Sequence, residues 1–207
     1  MNPSEIRTHL LAVTKQAYHE GMFAATSGNL SIYDRESGRM YITPSSYPYD
    51  IMTEDDIMVI DLDGSILEGK HKPSSEWKMH AAVYRADVRV NAIVHTHSPY
   101  ATAFAINHLP IAPVLYEIIY FLGGDVRVAE GAIPGSPEVG EHCVEALKDR
   151  YVCLMANHGV LAVADGLDLA YTRAVYVEDA AKAYSLALSH GPVCVIDKAT
   201  VELIRNR

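Results

Sequence analysis

Apolar residues recur at helical spacing from 4 to 20, at Ile6, Leu10, Val13 and Ala17, which predicts an amphipathic opening helix with Ser4 as its cap. The period then shortens. Leu30-Ser31-Ile32-Tyr33 and Met40-Tyr41-Ile42 flank Glu36-Ser37-Gly38, the pattern of a hairpin. Ile57 to Leu62 predicts a third strand running into the turn Asp63-Gly64, with Ser65 to Glu68 returning from it. Residues 74 to 86 predict a helix that begins with Ser74 and Ser75 after Pro73, and Ala92 to His95 a short buried strand. Further strands are expected at Val126-Arg127-Val128 and Val152 to Met155, with a helix over 137 to 149 between them. Past Asp165-Gly166, an Ala-rich helix spans Asp168 to Leu188 and a short one 197 to 205. Strands come partly as hairpins and partly between helices, so the expected class is α/β of the α+β type, a mixed and largely antiparallel central sheet covered by helices. No repeat or linker interrupts 1–207, which reads as one domain.

Composition narrows the partners. At 207 residues, 49% of them hydrophobic, the chain can bury one sizeable core and is too short for two ordinary domains. Seventeen basic against twenty-six acidic side chains give a net charge of −9, which argues against nucleic acid or an anionic membrane and requires any anionic substrate to find a local site. Cys143, Cys153 and Cys194 lack the spacing of a thiolate metal site or the density of a disulfide scaffold, and are expected as buried thiols of a reducing compartment. With a polar amino terminus and no run of about twenty apolar residues, the expected location is the cytoplasm.

Two groups of residues change this picture. In His95-Thr96-His97 the imidazoles stand at i and i+2, which on an extended chain sends both to one face at a strand end. His158 follows another buried strand, before Gly159, and Glu76 stands at a helix start. Taken singly, each histidine reads as well as a hydrogen-bonded core residue, and Glu76 as a first-turn carboxylate. Taken together, three imidazoles and a carboxylate suit a divalent metal, zinc in particular. The second group is the hydroxyl-rich Thr26-Ser27-Gly28-Asn29, either an ordinary turn or an anion nest; Ser74 and Ser75 at a helix amino terminus favour the nest, which holds phosphate without lysine or arginine.

Thr26-Ser27-Gly28-Asn29-Leu30-Ser31, Ile42-Thr43-Pro44-Ser45-Ser46, Lys72-Pro73-Ser74-Ser75-Glu76, His95-Thr96-His97 and Asn157-His158-Gly159 resemble, in order and spacing, the class II aldolase/adducin family. Glutamate at 76, where the 4-epimerases of that family have aspartate, resembles the L-fuculose-1-phosphate aldolase branch. The resemblance implies one zinc, or another divalent metal, per subunit on Glu76, His95, His97 and His158, with Glu76 also moving a substrate proton. It implies phosphate on Asn29, Thr43, Ser74 and Ser75, with Thr26, Gly28, Ser45 and Ser46 adjoining. The fuculose enzyme carries Thr-Gly in place of Ser45-Ser46. A tyrosine is implied on the aldehyde side, and the register permits Tyr116 or Glu117; Glu117 within an apolar run also reads as a desolvated general acid. The chain ends at Arg207 without the carboxy-terminal tyrosine of that branch. The expected activity is cleavage of a ketose 1-phosphate, such as L-fuculose 1-phosphate or a 5-deoxypentulose 1-phosphate, to dihydroxyacetone phosphate and an aldehyde by a homotetramer. The alternatives are a sugar-phosphate 4-epimerase, a methylthioribulose-1-phosphate dehydratase, and an adducin-like module without chemistry.

Overall fold

Asn2, not Ser4, opens the first helix in the computed structural model, which describes residues 1–206. The side chain of Asn2 accepts from the Glu5 amide at 2.9 Å while Glu5 Oε2 accepts from the Asn2 amide at 2.9 Å. That reciprocal cap leaves Pro3, with no amide hydrogen to lose, as the first residue of α1 (Pro3–His19). Ile6, Leu10, Val13 and Ala17 are all buried, as their spacing requires.

Eight strands form one sheet: β1 (Asn29–Asp34), β2 (Arg39–Ile42), β3 (Met58–Ile60), β4 (Ile66–Glu68), β5 (Ala92–Thr96), β6 (Arg127–Ala129), β7 (Val152–Met155) and β8 (Gly159–Ala164). Their order is β4-β3-β2-β1-β5-β8-β7-β6, and only β6 and β7 pair in parallel, so the sheet is mixed and largely antiparallel as expected. The helices are α2 (Trp77–Ala86), α3 (Pro99–Ile106), α4 (Pro137–Leu147), α5 (Leu167–His190) and α6 (Lys198–Arg205). Successive residues of β5 and β7 divide between two cores: Val94 and Leu154 face α1, α3 and α5, while Ile93, Cys153 and Met155 face α2 and α4. With both faces covered, β5 and β8 are buried throughout, and β8 carries no polar side chain.

The sheet differs from the sequence expectation in particular places. The third strand covers 58–60 because a 3-10 turn, Glu54–Asp56, ends just before it. α2 starts at Trp77 instead of 74, since the Ser74 amide donates to the Thr43 carbonyl and Pro73 bridges to Pro44, which holds this stretch extended against the end of β2. α3, β8 and a π-helical turn at Ile118–Leu122 were not anticipated. Cys143 and Cys153 are buried thiols, but Cys194 is exposed. No described helix is long and apolar enough to cross a membrane.

The loop that leads into Ser74 hangs on one buried carboxylate. Asp56 accepts from the Thr53 amide at 2.9 Å, the Thr53 hydroxyl at 2.7 Å and His71 Nε2 at 2.8 Å, with the exposed Lys70 ammonium 3.1 Å away. Burial favours the neutral acid, but His71, Thr53 and Lys70 outweigh it and hold the group well below the usual carboxylate range. Asp56→Ala should therefore destabilise the fold by about 2–4 kcal/mol at pH 7, nearly all of it from the buried partners because the Lys70 pair is screened. A depressed folded pKa contributes stability above about pH 4 and loses it as pH falls. Urea melts of wild type and Asp56→Ala should accordingly converge on acidification; a gap that widened toward pH 3 would contradict the assignment.

Candidate metal and phosphate site

Three adjacent strands and one helix end build the site. His95 lies on β5, directly opposite Asn29 of β1 and Leu161 of β8, and His97 follows two residues on. His158 sits in the tight turn joining β7 to β8, where Asn157 takes a left-handed φ of 57°, a conformation asparagine tolerates. Glu76 occupies the residue before α2. The pair spacing read from sequence and the two isolated positions thus meet at one end of the sheet.

The ring orientations follow from chemistry. His95 Nδ1 is 2.8 Å from the Val160 carbonyl, which only accepts, so Nδ1 carries the hydrogen and the Nε2 lone pair turns inward. Nε2 of His97 lies 3.0 Å from Nε2 of His95. The three rings have centroids 4.8, 4.9 and 5.2 Å apart and stand at 64°, 70° and 82° to one another, which aims their nitrogens at a common centre. Glu76 closes the set, with Oε2 3.1 Å from His95 Nε2 and Oε1 3.2 Å from His158 Nε2. Burial lowers the imidazole pKa values, to about 4 for His97 and in the same direction for His158, leaving lone pairs free at neutral pH. Burial would raise the Glu76 carboxyl, but His95, His158 and Asn29 outweigh it and keep the group ionised.

These observations fit a divalent ion. Two bonds of about 2.0–2.1 Å at a tetrahedral angle separate their donor atoms by roughly 3.3 Å, close to the 3.0–3.2 Å spacings found here. Glu76 Oε1 is buried without a hydrogen-bond partner, an arrangement that costs stability unless something else engages the oxygen. The histidine triangle is itself compact enough for one ion to reach all three rings.

Beside the triangle opens a cavity of about 330 Å³ lined by Thr26, Ser27, Gly28, Asn29, Ser45, Ser46, Ser74 and Ser75, together with Glu76, His97 and His158. Among the described residues no lysine or arginine lines it, so an anion on the side away from the histidines meets hydroxyl and amide donors. Gly28 has φ +76°, and a Cβ there would fall 2.7 Å from the Phe23 ring and 2.9 Å from the His95 carbonyl, so glycine alone lets this loop pass the metal strand. Tyr49 holds the loop by donating to the Gly28 carbonyl at 2.7 Å. The amides of Ser45 and Ser74 are already bonded to the Lys72 and Thr43 carbonyls, and Ser74 Oγ accepts from the Glu76 amide at 3.3 Å, which leaves the Ser45 hydroxyl and the Ser74 hydroxyl hydrogen for a ligand. Two roomier clefts, of about 570 and 680 Å³, lie along α2 and α4; their linings carry Arg89, Lys148, Arg150 and Arg173, and Lys78 and Arg85, with neither the serine hydroxyls nor the histidines gathered here.

Most of the residues singled out by sequence are brought together, with four departures. Thr43 is fully buried behind the cavity, where its hydroxyl accepts from the Leu30 amide at 3.3 Å. Asn29 lines the cavity, but its side chain donates to Glu76 Oε2 at 2.8 Å. Tyr116, 57% exposed, and Glu117, also exposed, stand ahead of the π-turn and do not line the cavity of their own chain; the desolvation expected for Glu117 is not found there. His80, which lies outside every motif, is fully buried and hydrogen-bonded to Asn29 and Ser31. Its position four residues after Glu76, on the same helix face, was the signal available. Pro134 is a further lining residue that no sequence motif marked.

The sequence pattern of the class II aldolase and adducin N-terminal domain matches residues 8–185. The 5-deoxy-D-ribulose 1-phosphate aldolase of Bacillus thuringiensis serovar kurstaki is 37% identical over 201 residues, 97% of this chain and 94% of that protein. The L-fuculose phosphate aldolase of Escherichia coli O6:H1 is 36% identical over 188 residues, 90% of this chain and 86% of its own length. A solved L-fuculose 1-phosphate aldolase superposes with a TM-score of 0.95 at 37% identity, covering 100% of this chain and 97% of the other.

Proposed function

Since the chain belongs to the class II aldolase and adducin family, we propose that it is a metal-dependent aldolase that reversibly cleaves a ketose 1-phosphate into dihydroxyacetone phosphate and an aldehyde. The observation that carries this reading is the buried Glu76 carboxylate, one oxygen anchored by Asn29 and the other unpartnered, set between three histidines and a hydroxyl-lined cavity. A divalent ion on His95, His97 and His158, which we assign as zinc, supplies Lewis-acid stabilisation of developing negative charge when bound.

The chain's own residues supply the rest. Hydroxyls of Ser45, Ser46, Ser74 and Ser75, with the Thr26 to Asn29 loop, bind the phosphate and fix the three-carbon half of the substrate. In the condensation direction the ionised Glu76 removes a proton from the carbon next to the carbonyl, and the electron pair left there forms the carbon-carbon bond; in cleavage that pair stays on the carbon, which takes its proton back from Glu76, itself protonated by way of solvent with the proton that the departing fragment releases. The hydroxyl on the departing fragment loses its proton as it becomes an aldehyde. Tyr116 or Glu117 takes that proton, and since neither lines its own cavity, we read the enzyme as a cytoplasmic homotetramer of single-domain subunits in which a neighbour contributes this residue.

Zinc-loaded protein incubated with dihydroxyacetone phosphate in deuterated water should exchange one carbon-bound hydrogen, and addition of short aldehydes should yield ketose 1-phosphates. Chelation should abolish both, and sedimentation should give four times the chain mass. Loss of neither exchange nor condensation on complete metal removal, or absence of both with metal bound, would sink the reading.

A further inference from the structure

Glu76, His80 and Tyr84 are spaced four residues apart along α2 and its cap, and Asn29 and Ser31 two apart along β1. A helix advances about 6 Å over four residues and a strand about 6.7 Å over two, so the two series stay in step where the helix crosses the strand. Every side chain in both is buried. They interleave as one line of hydrogen bonds: Tyr84 hydroxyl to Ser31 hydroxyl, 2.6 Å; Ser31 hydroxyl to His80 Nδ1, 2.6 Å; His80 Nε2 to Asn29 Oδ1, 2.6 Å; Asn29 Nδ2 to Glu76 Oε2, 2.8 Å.

The direction of the whole line is fixed at its end. An ionised carboxylate only accepts, so Asn29 must present its amide hydrogens to Glu76 and its oxygen to His80. His80 Nε2 must then carry a hydrogen, and Nδ1, neutral in this dry setting, must accept from Ser31. The Ser31 hydroxyl, spent on His80, accepts in turn from Tyr84, whose hydrogen is shared with the Ser31 carbonyl at 3.1 Å. Burial supports this, since it pushes the His80 pKa down to about 3 and keeps the ring uncharged. A neutral histidine with one donor and one acceptor nitrogen is a group that locks an amide in a single orientation.

We infer that His80 is a positioning residue that, through Asn29, pins Glu76 Oε2 and leaves Oε1 as the oxygen that exchanges a proton with substrate. The inference rests on the aldolase reading above for its last step, whereas the wiring itself does not. It adds a role for a histidine that touches neither the cavity nor the metal triangle, and it singles out one of two chemically equal oxygens. Without His80, Asn29 is free to flip, and a flipped amide sets its oxygen against the carboxylate and drives Glu76 out of place.

Nitrogen NMR of the full chain, zinc-loaded and chelated, reads the wiring directly. With the His80 signal assigned by its loss in His80→Gln, the expected result is a neutral ring protonated at Nε2 from pH 5 to 8; a ring protonated at Nδ1, or at both nitrogens, overturns the inference. In steady-state cleavage by the zinc-loaded enzyme, His80→Leu should lower kcat by about 10–100-fold while KM stays within about twofold, because the phosphate-binding hydroxyls are untouched. His80→Gln, which can accept from Ser31 and donate to Asn29, should recover most of that loss. Wild-type kcat in the leucine variant, or equal losses in both, would mean that His80 only fills space. A wild type devoid of aldolase activity would remove the catalytic reading alone, and the tautomer would still decide the wiring.

Discussion

Glu76→Gln should bind one divalent ion per chain with affinity reduced by about 10–100-fold and should lower aldol cleavage by about 10²–10⁴-fold. Glutamine keeps the volume and can still accept from Asn29 through its amide oxygen, so the pocket should not collapse. Its second arm then becomes an amide pointing at His158 Nε2 in place of Oε1. That group cannot take a proton from carbon. Deuterium exchange into dihydroxyacetone phosphate isolates this step from cleavage and from product release, and should fall at least as far as turnover does. Exchange at the wild-type rate in a metal-replete Glu76→Gln enzyme would refute the proton role while leaving the ligand role standing. The experiment separates two functions that the geometry assigns to a single side chain.

How much of this was legible from sequence depends on the kind of signal. α1, β1, β2, β7 and α5 announce themselves by period, because each buries one face or a continuous run bounded by turn residues. β8 does not. Val160 to Ala164 is apolar at every position, so no period distinguishes strand from helix, and only pairing with β5 and β7 on both sides settles it. α3 is similarly short and apolar around most of its circumference; its legible mark was Pro99 in the first turn. At the site, motif order picked out the three histidines that the fold gathers into one triangle and most of the hydroxyl-bearing residues that line the cavity beside it. What motifs missed were contacts between periods: His80 and Ser31 matter because a four-residue helical spacing meets a two-residue strand spacing, which is visible only once α2 is known to cross β1. Tyr116 and Glu117 mark a different limit, since both are exposed ahead of the π-turn and away from the cavity, a placement that neither the register nor the apolar run around them signals.

Gly159→Ala should be the most damaging single methyl at this site. Gly159 begins β8 immediately after His158, and a Cβ there would lie 2.3 Å from the Thr96 carbonyl oxygen, 3.2 Å from the His97 ring and 3.3 Å from the His95 ring. The first contact is with backbone of the adjacent strand, so no rotamer change relieves it. β8 must move off β5, and the bond from His95 Nδ1 to the Val160 carbonyl, which aims Nε2 at the ion, lengthens with it. Overpacking of this kind costs about 1–3 kcal/mol in stability, and loss of the bond that orients a ligand weakens metal binding by about 10–100-fold. Gly166→Ala is the control, since a Cβ there meets nothing within 4 Å and the residue has extended backbone at φ −147°. Metal titration and thermal melts of the two variants should therefore diverge, with Gly166→Ala near wild type in affinity. Equal affinities in both variants would show that the triangle tolerates separation of its two central strands, and that the close approach at Gly159 serves packing and not the ion.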